Sequence, residues 1–378
     1  MTEPAPVGIY VHWPYCARIC PYCDFNVVRD RGQAEQAALA AAIVNDIENQ
    51  SALVAPRRLV SVFLGGGTPS LMQPAWAAEI IAEAVKRFAP GADLEVTLEA
   101  NPTDAETGRF AAFAAAGVNR LSLGVQALDD ASLGFLGRNH SAAEAIRAAG
   151  AAANVFERLS LDLIYARPGQ TPAAWADELR RAADLGAEHL SPYQLTLEPG
   201  TPFDRAVRRR AWTTPDADAG AALYETTQQV LEGLGFEAYE VSNHGKGEAA
   251  RSRHNLIYWR GQEYLGVGPG AHGRLMLQGA RTATRAHARV ADYIAAVART
   301  GTGWAELEPL DVGAVAEERL LMGLRTVEGV ALADLAPLRL GRLGGLSEAG
   351  FVRQADGRLY ATAAGRPVLD RVIAELAA

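Results

Sequence analysis

Residues 120–126 read RLSLGVQ, in which Leu121, Leu123 and Val125 alternate with Ser122, Gly124 and Gln126. That is the two-residue period of a strand with one apolar and one polar face. Residues 159–165 repeat it, with Leu159, Leu161 and Leu163 opposite Ser160, Asp162 and Ile164, and residues 94–100 set Leu94, Val96 and Leu98 against Glu95, Thr97 and Glu99. Strand-length apolar runs also occur at 7–12, 59–64 and 189–197, and the Ala-rich stretches between predict helices over 34–49, 74–88, 104–116, 141–153 and 172–185. Such alternation predicts an α/β fold with a parallel sheet, doubly wound or rolled into a barrel. A closed eight-stranded barrel fills its lumen with branched apolar side chains. A polar inner face instead predicts an incomplete, wider barrel, a partial (β/α)6 barrel enclosing a polar ligand.

Past residue 200 the pattern loosens into a helix over 216–233, a strand over 236–241 and a Gly-rich run from Gly261 to Gly273. The barrel with its extension is expected over 1–300. A small winged-helix-like domain is expected over 311–378, where Asp356-Gly357 marks a hairpin between two short strands. From residue 312 onward eight Arg and no Lys face eight Asp plus Glu, a net charge of 8 − 8 = 0. A structural or docking role therefore fits that domain better than DNA binding. The whole chain of 378 residues carries a net charge of −8, which argues against nucleic acid as a partner. No stretch has the length of a membrane span or the make-up of a signal peptide, so a cytoplasmic location with no integral membrane segment is expected.

The only three cysteines, Cys16, Cys20 and Cys23, fall within eight residues in C-x-x-x-C-x-x-C spacing, which rules out a disulfide framework. On a helix these positions would share a face and read as core. Pro14 and Pro21 forbid that helix, so the thiols line a loop after the first strand and can converge on one object. Zinc, with His12 as a fourth ligand, is one alternative, although structural zinc usually takes paired elements from two places. A four-iron cube held by three thiolates, one iron left open, is the other. Gly65-Gly66-Gly67-Thr68 follows the second strand. Tyr10, this glycine loop, Glu99, Gln126 and Asp162 all stand at or near the C-terminal ends of successive strands, where barrel sites assemble.

With these motifs the sequence resembles the radical S-adenosylmethionine proteins, and in particular those of porphyrin metabolism. The resemblance implies a [4Fe-4S] cluster on Cys16, Cys20 and Cys23, with S-adenosylmethionine chelating the open iron. By the same resemblance Tyr10, Tyr22, Gly66, Gly67, Thr68, Glu99, Gln126, Arg138 and Asp162 are its cofactor-binding positions. The glycine loop would meet the methionyl amine, acidic and amide side chains the ribose and amine, and Arg138 the carboxylate. An electron donor such as flavodoxin is compatible with it.

Two branches of that group compete. The oxygen-independent coproporphyrinogen III dehydrogenases carry a further cysteine two residues after the third; here Phe25 holds that place. The heme-chaperone branch is similar in its C-P-Y-C-D-F segment and in an H-N-x-x-Y-W motif, here His254-Asn255-Leu256-Ile257-Tyr258-Trp259. That likeness implies heme as cargo, an unidentified heme-accepting protein as partner, His254 as iron ligand and no coproporphyrinogen dehydrogenase activity. His272, between Gly270 and Gly273, is the second choice of ligand, since glycines let a planar group approach the backbone. Ala166-Arg167 in place of Gly-Leu, and Pro269 within the glycine run, depart from the family pattern.

Overall fold

The structure is a computed structural model that describes residues 3–29 and 32–377; the outer bounds of the two expected domains, 1 and 378, lie outside these. The six barrel strands are Pro6–Trp13, Arg58–Gly66, Ala89–Ala100, Arg120–Gln126, Arg158–Tyr165 and His189–Gln194. They lie side by side in that order, all parallel. The helices Gln33–Ser51, Pro74–Arg87, Ala142–Ala153 and Pro172–Ala183 return the chain between them. Their starts follow from local chemistry: Pro74 and Pro172 occupy first-turn positions, and Ser141 with Glu144 forms a capping box. The helix predicted over 104–116 breaks into Asp104–Thr107 and Phe110–Ala115. Between them the Arg109 guanidinium turns back to donate to the carbonyls of Ser70 (2.5 Å) and Met72.

The apolar strand faces are buried under the helices: Leu121, Leu123, Leu159, Leu161 and Leu163 belong to one continuous core. The opposite face points into the lumen and stays polar, with Ser61, Glu95, Ser160 and Ser191 all buried. The expected partial barrel is therefore the observed one, and its buried charge is compensated. Glu95 accepts from Arg158 Nη1 (2.6 Å) and from the backbone amides of Arg253 (3.1 Å) and His254 (3.0 Å), with Arg120 3.9 Å away. Burial alone would raise its pKa; Arg120 and Arg158 outweigh it and hold the group below the usual carboxylate range.

Beyond the first strand the Gly-rich stretch is a sheet extension, which periodicity did not predict. Glu263–Val267 runs parallel to Pro6–Trp13, and His272–Leu277, Ala280–Ala286 and Trp304–Pro309 continue antiparallel. The predicted strand near 236–241 is reduced to Glu237–Ala238. In the C-terminal part, the strands Val330–Ala331, Val352–Ala355 and Arg358–Ala361 form a three-stranded sheet against the helices Val312–Gly323 and Leu369–Ala377. Asp356 (φ 51°) and Gly357 (φ 72°) make the predicted turn. Leu320, Leu324, Val352, Leu359, Val372 and Leu376 build an apolar core there. Across the seam to the barrel run ion pairs: Arg260 to Glu328 (2.6 Å), and Arg274 (2.6 Å) and Arg281 (2.5 Å) to Glu318.

Candidate functional site

A cavity of about 440 Å³ opens where the barrel strands end, within the ~300–1,000 Å³ of ligand clefts. Cys16, Cys20 and Cys23 stand on its rim as free thiols. Thr68 Oγ1 donates to Cys16 Sγ (3.6 Å) and Arg138 Nη1 to Cys20 Sγ (3.3 Å), contacts that suit thiolate sulfur. Burial raises the Cys16 thiol and pushes Cys23 up to about 11, so metal must displace the protons as it binds. Among the described residues no three His, Cys, Asp or Glu side chains are placed to hold a metal ion. Three free thiols around one cavity have the chemistry that a cluster with one iron left open would require.

The walls are polar. Glu99 and Asp162 face the cavity from the third and fifth strands, and Ser122 Oγ donates to Asp162 (3.0 Å). Burial and then the Asp162 charge push Glu99 up to about 7; burial likewise raises Asp162 to about 6. Gly66 sits at φ 107°, and a Cβ there would lie 2.6 Å from the His12 ring. At Gly67 it would lie 2.7 Å from the Tyr15 carbonyl oxygen. These glycines thus serve the crossing of the first two strands. Their amides are already engaged, Gly66 N–H to Glu99 (3.1 Å), Gly67 N–H to Trp13 O (2.8 Å) and Thr68 N–H to Tyr15 O (2.8 Å), which leaves acceptors to meet an ammonium group. Arg138 is spread over Cys20, Gly124 O (3.2 Å) and Asn101 Oδ1, and its buried Nε has no hydrogen-bond partner among the described residues.

Tyr22, Gly66, Gly67, Thr68, Glu99, Gln126, Arg138 and Asp162 therefore meet at one cavity with the cysteines. Tyr10 does not. Its hydroxyl bonds His12 Nδ1 (3.0 Å) and its ring, packed against Phe63 and His254, lines a second cleft. Sequence reading missed Asn101, whose amide bonds Thr68 Oγ1 (3.1 Å), and Ser122. Ser122 lies on the same strand face as Gln126, a signal that pointed to it.

The second cleft, of about 470 Å³, lies between the cysteine loop, the sheet extension and the helix Val312–Gly323. Tyr258, Trp259 and His272 line it, and Phe25 lines both this cleft and the cavity. Ser252 caps the helix Arg253–Trp259 by accepting from Asn255 N–H (3.3 Å); of the H-N-x-x-Y-W motif, Tyr258 and Trp259 line this cleft, while Asn255 lines the first cavity. His254 itself is 1% exposed. Its Nδ1 is hydrogen-bonded to Ser61 Oγ (2.9 Å) and its Nε2 to Tyr258 Oη (2.6 Å), and burial lowers its pKa to about 3. Both ring nitrogens of the neutral imidazole are taken, so in this conformation the expected iron ligand has no lone pair facing an incoming metal. The glycines near His272 do not open the backbone to a planar ligand. A Cβ at Gly268 would lie 2.2 Å from His12 O, and one at Gly273 2.5 Å from Thr284 Oγ1; they permit close strand packing.

The radical SAM superfamily model matches residues 10–182. The chain is 43% identical over 338 residues to the mitochondrial radical S-adenosyl methionine domain-containing protein 1 of Bos taurus, covering 87% of this chain and 76% of that protein. It is 39% identical over 277 residues to the heme chaperone HemW of Escherichia coli (73% and 72% covered). With HemW of Bacillus subtilis the identity is 32% over 368 residues (94% and 95%). Among solved structures, the coproporphyrinogen III oxidase HemN of E. coli superposes with a TM-score of 0.81 at 21% identity over 99% of this chain and 90% of that one, a likeness of fold.

Proposed function

The chain belongs to the HemW family within the radical SAM superfamily, and on that premise we propose that it is a cytoplasmic heme chaperone. In this reading it holds a [4Fe-4S] cluster on Cys16, Cys20 and Cys23 with S-adenosylmethionine beside it, takes up heme, and passes it to an acceptor protein. The observation that carries the reading is the position of Phe25, which lines both the cysteine-rimmed cavity and the aromatic cleft. Heme in that cleft would lie against the loop that carries the cluster.

When bound, the cluster supplies an iron with a free coordination position and an electron. The chain's own residues hold the small molecule. Glu99 and Asp162 attract a cationic ligand as they ionise, Ser122 fixes the Asp162 carboxylate, and the spare Nε–H of Arg138 is a buried donor for a carboxylate. Gln126, held at φ 65°, presents its amide to the same cavity. Oxidative decarboxylation of coproporphyrinogen propionates is not part of this reading, since Phe25 offers no thiol where the dehydrogenases carry a fourth cysteine.

The test is anaerobic reconstitution followed by hemin titration and product analysis with coproporphyrinogen, S-adenosylmethionine and a reductant. A brown protein that binds heme saturably and makes no protoporphyrinogen is expected. Absence of saturable heme binding, or multiple-turnover decarboxylation, overturns the proposal.

A further inference from the structure

His272 differs from the buried His254 in every respect that matters to a metal. Its side chain is exposed at the cleft, and its ring makes no hydrogen bond among the described residues. Burial, followed by the Arg274 and Arg285 charges, lowers its pKa, which keeps the imidazole neutral and its lone pair available. The surroundings suit a flat, amphipathic macrocycle. Tyr258 packs edge-on to Tyr264 (ring centroids 4.5 Å apart), giving a rigid aromatic wall, and exposed Phe25 forms the side nearest the cysteines. At one end Glu318 is paired with both Arg274 and Arg281. Arg274 itself lines the cleft and offers a guanidinium to a propionate, and the buried Trp259 Nε1–H has no hydrogen-bond partner among the described residues.

The His272 segment is also tied to the cysteine loop. Asn26 Nδ2 donates to the carbonyls of Pro269 (2.8 Å) and Ala288 (2.8 Å), while the Asn26 carbonyl is hydrogen-bonded to His12 Nε2 (2.8 Å). The Pro269 carbonyl thus ties the segment leading into the strand that bears His272 to Asn26, three residues after Cys23 in the cysteine loop.

We propose that heme seats in this cleft with the His272 imidazole as its iron ligand, Phe25 and the Tyr258–Trp259 pair as its apolar walls, and His254 as a positioning residue that holds Tyr258 from beneath. This rests on the heme-chaperone reading and goes beyond it by assigning the ligand to a residue outside the H-N-x-x-Y-W motif. Two exposed side chains, His272 and Phe25, provide variants that leave the core intact.

The experiment is hemin titration of the full chain, followed by the Soret band and by spin-state-sensitive resonance spectroscopy, beside His272→Ala and Phe25→Ser. The intact chain should bind one heme with an imidazole-type spectrum. His272→Ala should lose that spectrum and roughly tenfold or more in affinity, and added free imidazole should restore the spectrum. Phe25→Ser should bind more weakly with the ligation spectrum kept. A His272→Ala protein with unchanged affinity and spectrum overturns the ligand assignment while leaving heme carriage standing, and unchanged affinity in Phe25→Ser overturns the placement in this cleft. No saturable binding by the intact chain overturns the chaperone reading itself.

Discussion

S-adenosylmethionine carries a sulfonium and an amine, so the proton state of Glu99 and Asp162 should govern its affinity. With Glu99 at about 7 and Asp162 at about 6, both carboxyls are largely protonated in mildly acidic solution. If both must ionise to hold the ligand, affinity follows the product of their ionised fractions. Going from about pH 8 to about pH 6 lowers the Glu99 fraction about tenfold and the Asp162 fraction about twofold, in all about 20-fold or ~2 kcal/mol. Glu99→Gln removes the larger factor, leaving a drop of about twofold over the same span. Isothermal titration calorimetry at both pH values measures this. Comparing chain and variant cancels the ligand's own ionisations, and repeating the titration in buffers of different ionisation enthalpy counts the protons released on binding. The stability effect has the opposite sign. A carboxyl whose folded pKa is raised keeps its proton while the unfolded chain loses it, so unliganded stability falls as pH rises from the ordinary carboxylate value towards about 7 for Glu99. Equal affinity at the two pH values, or a Glu99→Gln protein that retains the full 20-fold dependence, would refute the reasoning.

Replacing Cys16, Cys20 and Cys23 together by Ala should abolish the brown colour and bring the iron content, expected near four per chain after reconstitution, to background; tight stoichiometric zinc without iron–sulfur absorbance would contradict the cluster. Glu95→Ala strips Arg158 and two backbone amides of their acceptor and leaves the buried Arg120 without its counter-charge, and urea unfolding should show a loss of about 3–5 kcal/mol. In Gly67→Ala the new methyl meets the Pro14 and Tyr15 backbone. The second strand must then shift away from the cysteine loop, which iron retention against time should report as faster loss.

Much of this molecule is legible in its alternation. Each barrel strand pairs an apolar face with a polar one, so a period of two finds the strand and predicts the lumen as well. The sheet extension escaped because Gly266, Gly268, Gly270 and Gly273 read as a loop. Their missing side chains instead let neighbouring backbones cross within the distance of a single Cβ, which no local pattern encodes. The break near Arg109 depends on the carbonyls of Ser70 and Met72, almost forty residues earlier. Cysteine spacing and prolines sufficed to place the three thiols on a loop at the rim of the cavity. His254 shows the limit: a histidine in a motif looks the same whether its ring is free or spent, and the residue that spends it, Ser61, lies 193 positions away.

The seam between the barrel and the C-terminal part is made of a different material from what lies on either side. Salt leaves apolar cores almost untouched and weakens ion pairs in step with their exposure, so rising ionic strength should release the outer Arg260–Glu328 pair before the more enclosed Glu318 pairs that hold the helix Val312–Gly323 to the sheet extension.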